Sequence, residues 1–204
     1  MYLYAVTLKD SVMSAAQTEQ LPNNTPATRS TKPTNWTAST LTELVEHLLR
    51  HHHPYTKTAL QKLAPLLDKV LRVHGDLHPE LQELHKLFVE LHNDMDMHLM
   101  KEENILFPYM LGLESDNPPA AHFGTVANPI RMMSMEHEHD SHILNRMLAI
   151  TDNFTLPAEA CASQIALYTG LHELVDDLFQ HIRLENDIVF PKAIATEKHL
   201  RGQA

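Results

Sequence analysis

The sequence predicts an all-α fold, a four-helix up-down-up-down bundle behind an irregular N-terminal arm, on three observations. Glycine is scarce, 5 in 204 residues, while 43% are hydrophobic and Leu and Met abound over Val, a composition that favours helix. Four stretches repeat apolar residues at three- and four-residue spacing, the period of a helix with one buried face. Two of these stretches place His and Glu where the period calls for Leu or Ile. The length suits one domain, divided as an arm over 1–38, a bundle over 39–195 and a tail over 196–204.

Residues 1–38 are rich in Thr, Pro, Asn and Ser without sustained periodicity, which predicts an arm with a short helix near 8–20. The first bundle helix starts at the capping-box pattern Thr40-Leu41-Thr42-Glu43 and carries Leu41, Leu44, Val45, Leu48 and Leu49 towards His52 and His53. The second starts near Pro79, a good first-turn residue, and reads Leu81, Leu84, Phe88, Leu91, Met95, His98, Glu102, Ile105. After a Pro- and Gly-bearing loop at 112–128, the third starts near Pro129 with Met132, Met135, His139, Ile143, Met147 and Ile150 inward. The fourth follows Pro157 and reads Leu167, Leu171, Leu174, Leu178, His181, Glu185, Ile188. Depth along the helices makes it overhang or bend near 157–165.

Composition removes several function classes. A formal charge of −10 argues against nucleic acid as a partner, because phosphate binding needs a basic face. Cys161 is the one cysteine, so there is no internal disulfide or thiolate cage; a small hydrophobe near a helix start is its ordinary reading. No apolar run approaches the roughly 18 residues of a membrane span. The first residues, MYLYAVTLKD, lack a basic region and a long apolar core and do not read as a signal peptide. Histidine is the anomaly, with 16 copies.

Two segments are near copies: His98-Leu-Met-Lys-Glu102 running on to Ile105-Leu-Phe-Pro108, and His181-Ile-Arg-Leu-Glu185 running on to Ile188-Val-Phe-Pro191. HxxxE alone is weak in so histidine-rich a chain; the shared flanks make the repeat specific. Residues four apart lie on one helix face, so the imidazole can hold one metal while the carboxylate reaches a second. Each copy follows a helix with one core-side histidine, His53 before His98 and His139 before His181. Burying these groups unpartnered costs several kcal/mol, and metal coordination satisfies them together. Six N and O ligands suit a pair of octahedral-leaning ions with a position left open, whereas zinc is usually closed by four; iron is the first choice and manganese the second. Asp94 and Asp177, one turn before His98 and His181, are candidate acceptors for the second N–H of those rings, or ordinary surface carboxylates. His137 and His142 read as exposed, and the methionines as core filler.

At these residues the chain resembles the hemerythrin-like (HHE) superfamily and, more narrowly, the iron-sulfur cluster repair di-iron proteins. The resemblance runs over about residues 40–193 and rests on HHPYTKTAL, HLMKEENILFP, Glu138-His139-Asp140, Pro157 to Cys161, and Asp176-Asp177-Leu178 leading into HIRLENDIVFP. It implies the ligands His53, His98, Glu102, His139, His181 and Glu185 around two non-haem iron ions with oxo or hydroxo and carboxylate bridges. Among His51, His52 and His53, it selects His53, which precedes x-Tyr. Many such repair proteins carry an N-terminal module with a cysteine pair, and residues 1–38 contain no cysteine. Oxygen-carrying hemerythrins place an aspartate five residues after the histidine, where Asn186 stands here.

The resemblance implies a cytoplasmic stress protein, without membrane or nucleic-acid partners, that helps restore iron-sulfur clusters damaged by nitric oxide or oxidants. Iron-sulfur proteins or apo-clusters would be recipients, and nitric oxide or dioxygen the diatomic ligand. Iron delivery or nitric oxide reduction, gas or redox sensing without turnover, and plain iron binding all need the same ligands.

Overall fold

The computed structural model describes residues 35–115 and 118–203. The expected helix near 8–20 lies outside them. Four helices make up the bundle: α1 (residues 41–74), α2 (80–113), α3 (Ala127–Ile150) and α4 (162–203). A short 3-10 turn at Trp36–Ala38 precedes α1. Both halves of the capping box at Thr40 form, with Glu43 as its partner. Glu114, just past α2, adds a second cap by accepting from the N–H groups of Leu41 and Thr42 at 2.8 and 2.9 Å.

Three of the helices carry a π turn, at Leu48–His52, Glu102–Leu106 and Glu185–Val189. The N–H of His53, Phe107 and Phe190 donates five residues back, to the carbonyl of Leu48, Glu102 and Glu185. A proline follows each time: Pro54, Pro108 and Pro191. Proline in a helix lacks the N–H and crowds the carbonyl four residues earlier. Those carbonyls belong to Arg50, Asn104 and Asp187, inside the widened turns. Proline alone is not the cause, since Pro65 lies within α1 with no π turn around it.

Each π turn adds a residue without a full extra turn, so the buried stripe slips by one position. Ile105, expected inward, is 51% exposed while Leu106 is buried. Ile188 is half-buried and Val189 takes its place in the core. The turn also carries α2 past Pro108 to Leu113, and α4 through residues 196–203, the stretch read as a tail. Glu197 in that stretch is buried and accepts from Tyr109 and from the N–H of Val126 at the start of α3.

The third and fourth helices differ from expectation at their starts. α3 begins at Ala127 and buries Ile130, Met133, His137, Asp140, Ile143, Leu144 and Met147; Met132, Met135 and His139 face out. α4 begins at Ala162 with Cys161 as its N-cap residue. Before it the chain reverses through Asp152, Asn153 and Phe154, all at positive φ of 49°, 56° and 56°. That conformation costs about 1–2 kcal/mol per non-glycine residue; burial of Phe154 edge-on to Tyr168 offsets part of it.

Two apolar cores result. One gathers Leu60, Leu67, Leu84, Phe88, Leu144, Leu171 and Leu174 with their neighbours. The other gathers Leu44, Leu48, Phe107, Met110, Ile130, Val189 and Phe190. Between them in sequence on every helix comes the polar layer of buried His, Glu and Asp side chains. Among the described residues no helix is long and apolar enough to cross a membrane.

Candidate metal centre

The layer holds His53, His98, Glu102, His137, His181 and Glu185, each at most 2% exposed. α1 and α3 give one histidine each; α2 and α4 give a histidine and, one turn on, a glutamate. His53 Nε2 and His98 Nε2 each lie 3.5 Å from Glu102 Oε2. Across the layer, His137 Nε2 is 3.1 Å from Glu185 Oε2 and His181 Nε2 is 3.0 Å from Glu185 Oε1. Two overlapping groups follow: His53, Glu102, His181 and Glu185, and His98, Glu102, His137 and Glu185. In each, one ligand atom per residue lies within 4.8 Å of all the others. Both glutamates belong to both groups, the arrangement expected of carboxylates that reach two ions.

Five of the six residues expected from sequence are brought together, and His139 is not. Its imidazole is 56% exposed and lies 3.2 Å from Glu90 and 3.4 Å from Asp94. His137, read as exposed, takes the place. The two residues are about 200° apart around the helix, so only one can face the layer. A sequence signal for His137 existed in the repeat: His53 precedes His98 by 45 residues and His137 precedes His181 by 44, against 42 for His139. Phe107 and Phe190 end the two π turns, and each lies against one single histidine: His53 at 5.4 Å and His137 at 5.6 Å between ring centroids.

Outer contacts fix the rings. His53 Nδ1 donates to Glu103 at 2.9 Å, His98 Nδ1 to Glu136 at 3.0 Å, and His137 Nδ1 to Asn186 Oδ1 at 3.0 Å. A carboxylate or amide oxygen can only accept, so Nδ1 carries a proton and Nε2 is the nitrogen turned to the layer, able to hold a metal that displaces its own proton. Lys57 and Lys101 hold Glu103 and Glu136 in turn. Asp94, a candidate partner of His98, pairs with His139 instead, because Glu136 already occupies His98 Nδ1. Asp177 accepts from His52 at 3.0 Å; His52 is buried beside His181 but outside both four-residue groups.

The electrostatics show what is missing. Burial pulls the His98 imidazole down, yet Glu102 and Glu136 outweigh it and hold the ring up at about 10. Burial likewise opposes charge on His53 and His137, and nearby carboxylates, Glu102 for one and Glu185 for the other, raise both. Burial favours the neutral acid at Glu185, but His181 and His137 keep its carboxyl well below the usual range. Glu136 is held down at about 2 by its hydrogen bond from His98, against its partial burial. Even so, both oxygens of Glu102 and Nε2 of His53 have no hydrogen-bond partner in the buried layer, and Glu185 Oε2 has only its ion-pair contact with His137. Leaving such atoms bare costs about 1–3 kcal/mol each. Cations between the two glutamates satisfy them, so the residues fit a pair of metal ions.

An all-α bundle whose four helices meet at a buried layer of four histidines and two glutamates defines a cation-binding bundle. The match with the family model described as "Hemerythrin HHE cation binding domain" covers residues 37–193. Among curated proteins, an iron-sulfur cluster repair protein YtfE of Cronobacter sakazakii is 38% identical over 165 residues, 80% of this chain and 71% of that one. Its counterpart in Escherichia coli is 37% identical, over 80% and 70%. A probable iron-sulfur cluster repair protein of Haemophilus influenzae is 35% identical, over 78% and 68%. The chain belongs to the hemerythrin family, in its iron-sulfur cluster repair branch.

Proposed function

We propose that the chain is a non-haem di-iron protein of the cytoplasm that helps restore iron-sulfur clusters damaged by nitric oxide or oxidants. The ligands would be His53 and His181 on one ion, His98 and His137 on the other, with Glu102 and Glu185 bridging. One observation carries this reading: two buried glutamates, each shared by both ligand groups, with both oxygens of Glu102 lacking a hydrogen bond. Iron fits a site of imidazole and carboxylate donors without thiolate, with manganese second. When bound, such a pair supplies a redox centre with an open position for a diatomic ligand.

The protein's own groups do the rest. Glu103, Glu136 and Asn186 keep three imidazoles in the tautomer that binds metal. Phe107 and Phe190 close the layer on the side of one apolar core. The buried carboxylates balance the ions' charge where water cannot.

The chain as isolated from iron-replete cells should hold about two irons, and one zinc in their place would sink the reading. Exposing the reduced protein to nitric oxide without oxygen then separates turnover from binding. Nitrous oxide formed at one per two nitric oxide consumed indicates reduction; a stable adduct with no nitrous oxide indicates sensing. Transfer of iron to an apo iron-sulfur protein, restoring its cluster absorbance, is the result that delivery requires.

A further inference from the structure

Outside the centre, a second group of metal-binding side chains stands on the face shared by α2 and α3. Glu90, Asp94 and His139 each present one ligand atom, all within 4.8 Å of one another. All three side chains are between two-fifths and three-fifths exposed. Exposed carboxylates beside a histidine are common without an ion, and the group alone says little. The residue after His139 is a feature the centre does not use. Asp140 is 1% exposed, and neither of its oxygens has a hydrogen-bond partner.

Asp140 stands between the two groups. It feels the charges of Asp94 and His139 on one side, and of His98 and His137 on the other. The helix positions agree: Asp94 and Glu90 come one and two turns before His98, and Asp140 about one turn after His137, on helices that run antiparallel. A bare buried carboxylate costs stability. It is explained if a cation passes it.

Resting on the reading of the layer as a metal centre, we propose that Glu90, Asp94 and His139 form a surface site for a divalent cation, ferrous ion above all. From this site the ion reaches His98 and His137 past Asp140. While it sits in the outer site the ion is in transit and is not one of the resident pair. Oxygen and imidazole donors without thiolate suit ferrous ion or manganese, and the formal charge of −10 concentrates cations at the surface. Such a site is weak by design, because an ion must leave it inward.

Manganese(II) binding to the full chain, followed by electron paramagnetic resonance, tests the outer site. It is compared between wild type and the triple variant Glu90→Gln, Asp94→Asn, His139→Gln, both free of iron and loaded. Wild type should bind one more ion than the variant in either state, and equal binding overturns the site. Rapid mixing of the metal-free chain with ferrous ion tests the route. Uptake should be roughly tenfold slower or more in the triple variant and in Asp140→Asn, in line with local electrostatic concentration of an ion. The final iron content should equal that of wild type. Unchanged rates overturn the route, and so does a lower final content in Asp140→Asn, which would make Asp140 a ligand. Wild type that takes up no iron overturns the centre and the route together, while the manganese comparison on the metal-free chain still decides the outer site.

Discussion

α1 and α3 do the same job in the two halves of the bundle and are built differently. Each delivers one histidine to the layer, each ring rests on a phenylalanine from the repeated Phe-Pro pair, and each is fixed through Nδ1 by the residue just after a glutamate of the layer. Yet α1 reaches the layer through a π turn followed by Pro54, while α3 is an unbroken helix. In α1 the anchor is charged, Glu103 held by Lys57; in α3 it is the neutral Asn186. The position before the histidine is His52 in one and Glu136 in the other. The shared plan follows the repeated HxxxE and Phe-Pro segments of α2 and α4. The difference shows that the layer constrains where the imidazole points and not how the backbone gets it there.

The comparison breaks first at the groups the two halves share. Glu102→Ala and Glu185→Ala should each lower metal content from about two ions per chain towards one or none and remove the near-ultraviolet bands of a bridged ferric pair. His98→Ala, which removes an end ligand that water can partly replace, should be milder. Normal spectra and metal counts in both glutamate variants would put the carboxylates outside the ligand set.

α3 is sharpened by a pair of variants. His137→Ala should deplete metal about as far as His53→Ala does, while His139→Ala should leave the final content unchanged, as metal analysis would show. The reverse result would restore the sequence reading of α3. The structure departs from that reading for a physical reason. The true stripe, Ile130, Met133, His137, Asp140, Leu144, Met147, contains two polar interruptions, one of them a carboxylate with no partner. The neighbouring stripe through Met132, Met135 and His139 looks more apolar and is on the surface.

Elsewhere the sequence was legible where ordinary helical periodicity held. Leu81 to Met95 and Leu167 to Leu178 are buried as their spacing predicts, and the Thr40 cap forms as its pattern reads. The slips at Ile105 and Ile188 come from the π turns, which no 3.6-residue period anticipates; the Phe-Pro pairs were the visible trace of them. The two HxxxE pairs survive because they end where the π turns begin.

Asp140 distinguishes α3 energetically. Its carboxyl moves from 3.8 to about 6 through burial, so the fold loses stability as pH rises through that interval. Above pH 6, Asp140→Asn should stabilise the metal-free chain by about 1–3 kcal/mol, seen as a higher denaturant midpoint that vanishes below pH 4. An unchanged midpoint at pH 7.5 would mean the carboxylate is solvated. His98 has the opposite sign. Its ring is raised from 6.5 to about 10, so the stability it lends the metal-free chain is complete below 6.5 and lost as pH rises through 10. The loaded chain, whose metal has displaced that proton, should lack this alkaline decline.

The smallest effect should come from the arm. A chain beginning at Asn35 should retain its metal and its helical circular dichroism, because the ligands and both cores lie beyond that point.

The polar layer between two apolar cores has a consequence for how long the molecule survives. Each core packs well without metal; the layer joining them does not, with its bare carboxylates and crowded imidazoles. A ligand that binds only the folded state stabilises it in proportion to the logarithm of its free concentration over its dissociation constant. The resistance of this chain to opening, and so to proteases that cut opened chains, is therefore tied to metal supply. A molecule that has parted with its metal is the one most exposed to degradation.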